Sequence, residues 1–327
     1  KNIKYQSNKL VNHKFYFAAN DSELISLVHD AITNKLKNLK SLNIDQNTEI
    51  KLWGEINNDD FDNFDLGKKL EIHITSPSIN IELDQKNNSN LSKVDGLMIY
   101  EGELTSPDHF KLDIINFKTQ FAKSSIVVNS QITKLDKEHS SYIRSDVNFG
   151  HVDLKSFLNK LPTFIIGPET QNWLTTNIKT GKLGNSRIIM RGFLDDSFPY
   201  DPKYDRPDGI FTLRAEILNT SLVFSEQWPK IENLDGVLTL RGRDISILSN
   251  KGLFVNNEIA SLFAQIKGLG KPESDNLVLA AKIQSNGQGL ADLIDKTPLK
   301  HDLNGVNTTT KFTGPIDLDL NSRGKYQ

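Results

Sequence analysis

The sequence predicts a mainly β protein, a long curved antiparallel meander that forms an open β-groove and carries a few short helices. The clearest evidence lies in the stretch 207–269, where apolar and polar residues alternate as they do in strands with one dry and one wet face. The alternation begins with Phe211, Leu213, Ala215 and Ile217. The breaks between its apolar runs are short, and connections this short join antiparallel neighbours.

Three breaks in this stretch are rich in turn-forming residues, at 218–220, 241–243 and 249–252. Each is predicted to be a turn between neighbouring strands, because Asn, Gly and Ser favour turn geometry. The apolar residues between these turns would all face the same side. The sequence therefore predicts a sheet with one continuous dry face.

The remaining elements follow from the same periodicities. Helical spacing predicts helices over 21–39, 153–161, 168–179 and 290–295. Alternation predicts strands over 50–53, 70–74, 79–83, 97–100, 110–117, 125–132, 142–149, 187–194 and 276–284. The tail from Leu299 is polar and weakly patterned.

The chain also repeats itself, since Val94-Asp95-Gly96 is echoed by Leu234-Asp235-Gly236, with two further echoes in the same order. Such spacing predicts two copies of one meander-plus-helix unit. The predicted divisions are a lead-in with a helix (1–45), a first β-meander unit (46–162), a second β-meander unit (163–300) and a polar tail (301–327).

Composition excludes several classes of function. The net charge of the 327 residues is -2 with charges of both signs interspersed, which disfavours nucleic acid as a partner. Cysteine is absent, which excludes disulfides and thiolate chemistry. No apolar run approaches the ~18 residues of a membrane span. Because the sequence starts at Lys1 without Met, we expect an internal fragment with an anchor or export signal upstream.

Motifs for catalysis and cofactors are missing. The seven histidines are scattered singly, and the acidic clusters at 59–65 and 195–208 do not match the calcium-loop spacing. No phosphate-binding glycine loop, nucleophile elbow or catalytic triad is recognisable. The sequence predicts no enzyme activity, no catalytic residue, no metal and no cofactor.

The dry face of so many strands must be buried, and four short helices are too few to cover it. Two arrangements satisfy this requirement. The sheet could fold on itself as a sandwich or closed barrel. Alternatively it could form an open trough whose apolar inside is filled by something other than protein, lipid being the obvious occupant.

An ordered set of short motifs lies between residues 160 and 300. It comprises Leu161-Pro162, Trp173-Leu174, Gly181, Met190-Arg191-Gly192, Phe198-Pro199, Gly209-x-Phe211, Trp228-Pro229-x-Ile231-x-x-Leu234-x-Gly236 and Gly242. In this order the motifs resemble those of the AsmA-like envelope proteins, specifically the YhdP branch. The resemblance implies a bridge-like lipid transport protein of the Gram-negative envelope, with an inner-membrane anchor and a periplasmic β-groove that conducts phospholipid towards the outer membrane.

The resemblance and the dry face lead to one predicted function, a periplasmic segment of an inner-membrane-anchored lipid bridge. Its partners would be phospholipid, the membrane through an anchor outside this fragment, and other envelope proteins. Each buried methylene contributes about 0.8 kcal/mol, so acyl chains need no specific polar contact. The residues predicted to line the groove are Leu213, Ala215, Ile217, Leu222, Phe224, Leu238, Leu240, Ile245, Ile247, Leu262, Ala264 and Ile266.

Two other functions stay open at this point. A structural or adhesive β-repeat protein of the cell envelope would have a closed core and carry no lipid. A carbohydrate-active protein would need two acidic residues facing each other across a cleft. The acidic loops have no aromatic platform beside them, which disfavours this second alternative.

Overall fold

The computed structural model describes residues 12–19, 41–57, 66–84, 87–102, 108–160, 168–194, 209–224, 227–268, 276–303 and 313–325. These residues form sixteen strands and four short helices, so strand dominates as predicted. The strands are β1 (Asn12–Ala19), β2 (Ser41–Ile44), β3 (Glu49–Asn57), β4 (Leu66–Asp84), β5 (Asn87–Gly102), β6 (Phe110–Phe121), β7 (Ser124–Lys134), β8 (Tyr142–Phe149), β9 (Val152–Asp153), β10 (Ile178–Phe193), β11 (Ile210–Leu222), β12 (Ile231–Arg241), β13 (Asp244–Phe254), β14 (Asn257–Ile266), β15 (Asn276–Asn286) and β16 (Pro315–Lys325). The helices are α1 (Leu154–Lys160), α2 (Pro168–Asn177), α3 (Gly287–Lys296) and α4 (Leu299–Asp302).

All sixteen strands belong to one antiparallel sheet. Its order is β1-β3-β4-β5-β6-β7-β8-β10-β11-β12-β13-β14-β15-β16, with β2 beside β4 and β9 beside β10. The sheet is open, because no pairing between described residues joins its end strands, β1 and β16. The predicted fold class, an open antiparallel meander with a few short helices, is confirmed, and the described strands do not close into a barrel.

The strands predicted at 70–74 and 79–83 are one strand, β4, which continues through Pro77. Proline has no N–H to donate and is tolerated in a sheet only where none is needed. On one side of β4, the pairing with β3 stops at Thr75 and the pairing with β2 starts at Ile79. Pro77 falls in the gap between these two partners, so the break that the sequence suggested does not occur.

Two of the three predicted turns in the central stretch are irregularities inside strands. Residues 218–220 lie within β11, where Asn219 adopts a φ of 49° and the register with β12 shifts. Residues 249–252 lie within β13, whose turn comes later, at Val255 and Asn256. The turn at 241–243 is confirmed, with Gly242 at a φ of 56°. Asn and Gly favour a bulge as readily as a turn, which explains both errors.

Other boundaries differ in detail. β10 begins at Ile178, directly after α2, rather than at 187. The polar tail contains strand β16, in which half-buried Ile316, Leu318 and Leu320 alternate with exposed residues. The predicted helix over 21–39 and the acidic clusters at 59–65 and 195–208 lie outside the described residues. No helix in the described ranges is long and apolar enough to span a membrane.

The chain divides into two compact units. Unit 1 comprises Lys1–Phe149 and Ile189–Ser197, and unit 2 comprises Gly150–Ile188 and Phe198–Gln327. The divisions at 46–162 and 163–300 stay a prediction.

The echoed motifs lie on equivalent hairpins, β5–β6 in unit 1 and β12–β13 in unit 2. Each hairpin has a left-handed residue two positions before its Asp-Gly pair, Lys93 at φ 52° and Asn233 at φ 50°. Each second strand ends in a turn with two left-handed residues, Ala122-Lys123 in unit 1 and Val255-Asn256 in unit 2. These shared features give the positions that correspond between the two units.

Candidate functional site

The predicted groove residues lie on one face of the sheet in unit 2, because cross-strand register aligns them in rows. The first row is Leu213–Leu240–Ile245–Ile266, and the second is Ala215–Leu238–Ile247–Ala264. A third row runs from Ile217 through Gly236 and Ser249 to Leu262. We call the surface formed by these three rows the unit 2 face.

The remaining two predicted residues lie beyond the bulge in β11. Leu222 pairs with Ile231, and Phe224 follows the end of the strand. The Phe224 ring lies 5.8 Å from the ring of Trp228 and 6.5 Å from that of Phe254, centroid to centroid. These aromatic contacts make Phe224 part of a packed cluster at the end of the unit 2 face.

The predicted groove residues are buried and water does not reach them. Each of the twelve has between 0% and 7% of its area exposed. In the isolated chain these side chains therefore contact protein, and each fully buried Leu or Ile stabilises the fold by about 1.5–3 kcal/mol. Their contact with acyl chains stays a prediction.

Unit 1 has an equivalent face that the sequence analysis did not assign, and we call it the unit 1 face. Its rows are Tyr100–Leu112–Ile132–Ile143, Met98–Ile114–Ser130–Ser145 and Phe117–Val128–Val147. The signal for it was present as short alternating runs, such as Ile126, Val128, Ser130 and Ile132. Serine residues and the bulge in β6 interrupt those runs, so no continuous stripe was recognised.

The two faces differ in exposure at equivalent positions. On the unit 1 face, Met98, Leu112, Ile114, Val128 and Ile132 are all half-buried. Their equivalents on the unit 2 face are Leu238, Ile245, Ile247, Leu262 and Ile266, and all of these are at most 3% exposed. Solvent therefore reaches these five side chains of unit 1 and not their equivalents in unit 2, although Tyr100 and Ile143 of the unit 1 face are also buried.

The two faces also differ in polarity. Ser130 and Ser145 are register partners on the unit 1 face, where unit 2 has Ala264 and Leu279. The Ser130 hydroxyl donates a hydrogen bond to the carbonyl oxygen of Arg144 at 3.3 Å. The unit 1 face thus carries two hydroxyls in the middle of an otherwise apolar surface.

On the wet side of the sheet, the carboxylates of Asp95 and Asp235 have different hydrogen-bond partners. His73 Nε2 lies 2.9 Å from Asp95 Oδ1. In unit 2, the Asn219 N–H donates to Asp235 Oδ1 at 2.7 Å, and Lys251 Nζ donates to Asp235 Oδ2 at 2.7 Å. The hydrogen bond from the Asn219 backbone, together with Lys251, lowers the pKa of Asp235 below its ordinary value.

A separate polar cleft of about 440 Å³ lies beside the first turn of α3. Its polar groups satisfy one another. Asn286 Oδ1 accepts from the Gly289 N–H at 2.9 Å, and Ser285 Oγ donates to Asn257 Oδ1 at 2.6 Å. Asn257 Nδ2 donates to the Gly289 carbonyl at 3.2 Å. This cleft therefore serves to join α3 to the turn before β14.

Among the described residues, no group of His, Asp and Glu is placed to hold a metal.

Comparison with known proteins gives two matches. A family model described as "YhdP protein" matches residues 71–323. A protein of Escherichia coli (strain K12), the "Intermembrane phospholipid transporter YhdP", is 23% identical over 159 residues, which cover 49% of this chain and 12% of that protein. The chain thus matches only a small part of that relative's length. No solved structure matches the chain.

Proposed function

This chain belongs to the YhdP family, and from that premise we propose that its sheet carries the acyl chains of phospholipid in transport between two membranes. The proposed place of action is the periplasm, and the proposed attachment is an inner-membrane anchor that lies outside the residues described above. The relative's name supplies the substrate class, and the apolar faces supply a surface suited to it.

The observation that carries the proposal is the uncharged character of the dry face across consecutive strands. The three rows of the unit 1 face and the three rows of the unit 2 face contain no charged side chain. Glu101 and Lys111 lie on the opposite side of the sheet and pair at 3.5 Å. A surface without charge binds hydrocarbon through the hydrophobic effect alone, at about 0.8 kcal/mol per methylene.

The similarity of the rows along each face suits movement of a lipid as well as its binding. Because each row offers similar aliphatic contacts, no position along the face is strongly preferred, and a lipid can move from row to row without a large barrier. The twelve predicted groove residues would contact acyl chains by this mechanism when the unit 2 face opens.

The test is native mass spectrometry with lipid extraction on the chain purified from a Gram-negative host without detergent. We expect phospholipid at about one or more molecules per chain, since an exposed apolar face of this size is unfavourable in water. Val128→Asp, which places a carboxylate on the unit 1 face, should reduce bound lipid strongly. Asn129→Asp adds the same charge to the exposed side of the same strand and should leave lipid unchanged. A folded protein without lipid would contradict the proposal.

A second candidate is favoured by the burial of the unit 2 face. If that face is a permanent core, unit 2 is a structural module of the envelope and its apolar residues serve stability only. Lipid that crosslinks to photoreactive groups in unit 1 and never to groups in unit 2 would support this role for unit 2.

A further inference from the structure

Among the described residues, the unit 1 face is an apolar surface that a phospholipid can reach without prior rearrangement. Resting on the function proposed above, we propose that phospholipid is taken up on the unit 1 face, with its acyl chains across β5–β8 and its phosphate at Lys134. The equivalent unit 2 face takes up no lipid directly from solution.

The apolar side chains of the unit 1 face are accessible before lipid binds. Met98, Ile114 and Val128 are half-buried, so part of each apolar surface is in contact with water in the lipid-free chain. Covering such surface with hydrocarbon is favourable, whereas the unit 2 face has almost no apolar surface left to cover. A lipid gains binding energy in unit 1 at once, and in unit 2 only after protein contacts are broken.

Ser130 helps to keep the unit 1 face accessible. It is half-buried, whereas Ala264 at the equivalent position of unit 2 is buried. Its hydroxyl donates to the carbonyl oxygen of Arg144, and the hydroxyl oxygen can also accept hydrogen bonds, which water can supply at a half-buried position. Closing protein over Ser130 would leave this acceptor capacity unsatisfied, which is unfavourable. Ser145 is already buried, so Ser130 is the residue that favours an open face.

The unit 1 face also has a positive charge at its edge. Lys134 is the register partner of Phe110 and lies two residues after Ile132, so it belongs to the same face at the end of β7. In the part of the chain that the structure describes, no carboxylate forms an ion pair with Lys134. A cation at the rim of an uncharged apolar surface matches a phospholipid, whose phosphate stays in water while its chains are buried. Gly268 stands at the equivalent position in unit 2 and offers no charge.

The absence of cysteine from the sequence makes a direct experiment possible. Three single-cysteine variants of the 327-residue chain are needed. Val128→Cys reports on the unit 1 face, Leu262→Cys on the equivalent position of the unit 2 face, and Asn129→Cys on the exposed side of β7. Each is reacted with a charged, water-soluble maleimide, with and without short-chain phosphatidylglycerol below its micelle concentration.

We expect the cysteine at position 128 to react readily and the one at 262 to react slowly in the lipid-free chain. At free lipid about ten times above Kd, labelling at 128 should slow by about tenfold, because the site is empty only about one-tenth of the time. Labelling at 129 should not change. Protection at 262 instead of 128, or equal reactivity of the two without lipid, would overturn the inference.

Lys134→Gln tests the position of the phosphate. The variant should weaken protection by phosphatidylglycerol by up to about fivefold, as expected for loss of an accessible ion pair. Protection by diacylglycerol with the same acyl chains should not change, because it has no phosphate. Equal weakening with both ligands would contradict the role of Lys134.

Failure of this inference is distinguishable from failure of the proposed function. If native mass spectrometry finds phospholipid on the chain while the cysteine at 128 is not protected, the lipid binds elsewhere and only the inference is wrong. If no phospholipid binds at all, the proposed function fails as well.

Discussion

The hairpins β5–β6 of unit 1 and β12–β13 of unit 2 share the left-handed residue before the Asp-Gly pair and the left-handed end turn, and they differ in what surrounds them. A Cβ added at Gly236 would meet the backbone carbonyl of Leu248, whereas one added at Gly96 would meet the ring of Phe117. A Phe side chain can change rotamer, although the Phe117 Cα also lies 3.0 Å from the added atom, whereas a carbonyl in a sheet cannot move aside. The comparison shows that equivalent glycines of the repeat can contact a backbone carbonyl in one unit and a side chain in the other.

The unit 1 face and the unit 2 face also differ in how their side chains pack. In unit 2, aliphatic residues fill the first two rows and exclude water. In unit 1, Ser130 opposes closure, since protein closed over it would leave the acceptor capacity of its hydroxyl oxygen unsatisfied. Ser130 in place of Ala264 and Ser145 in place of Leu279 thus accompany the change from a core to a more accessible apolar surface.

The largest effect is expected from a carboxylate on each face. Ile247→Asp should lower the free energy of unfolding by about 4 kcal/mol or more, because Ile247 is 3% exposed and its replacement would be an unpaired buried charge. Ile114→Asp, at the equivalent half-buried position, should cost less than half as much, since water can reach the carboxylate. Urea unfolding of both variants measures the difference. Equal losses would mean that the two faces are equally closed.

A smaller effect is expected at the two glycines. Gly236→Ala should lower the free energy of unfolding by about 2 kcal/mol, because the new methyl group forces the backbone at Leu248 to shift. Gly96→Ala should cost about 1 kcal/mol, because the new methyl group meets mainly the Phe117 side chain, which can change rotamer, and approaches the Phe117 Cα only to 3.0 Å. Gly150, where an added Cβ has nothing within 4 Å, is the matched control. Thermal denaturation checks all three, and a larger loss at Gly96 would contradict the comparison.

Asp235 should give a pH-dependent effect. Its lowered pKa means that the ionised carboxylate stabilises the fold above the ordinary Asp pKa of about 3.9, and that this stability is lost as the pH falls through the lowered value. Asp235→Asn should therefore cost about 1 kcal/mol at neutral pH and progressively less in acid. Chemical denaturation across that pH range measures the difference, and a loss independent of pH would rule out the carboxylate as its source.

The smallest effect is expected on the wet side of the sheet. Leu248 is 59% exposed and Ile115 is 40% exposed, and they occupy equivalent positions. Leu248→Ser and Ile115→Ser should each change the free energy of unfolding by no more than about 0.5 kcal/mol. A large loss at either position, detected as a fall in Tm, would show that this side also packs against part of the chain.

Much of the fold could be predicted from alternation alone. The strand at 142–149 forms as predicted, because Ile143, Val147 and Phe149 keep the period-two alternation although Ser145 stands among them. Asn219 and the region 249–252 misled the sequence analysis, since a residue that tolerates left-handed geometry fits a bulge inside a strand as well as a turn between strands. Periodicity locates strands and does not distinguish these two uses of the same residue.

The candidate site was predictable in one respect only. Alternation placed the predicted groove residues on a common face, and register in the structure agrees. Alternation cannot tell what covers a face, because a core and a lipid-binding surface need the same residues. The unit 1 face was missed for the opposite reason, since Ser130 and Ser145 made its pattern look too polar.

The order of strands in the sheet also bears on how the protein folds. Apart from β2 and β9, each described strand pairs with the strands that come just before and after it in the sheet order, which follows the chain. Contacts therefore join residues of short sequence separation, which favours fast folding for a β protein. Each hairpin can form as soon as its second strand is available, and damage to one hairpin should unfold its neighbours before it reaches distant strands.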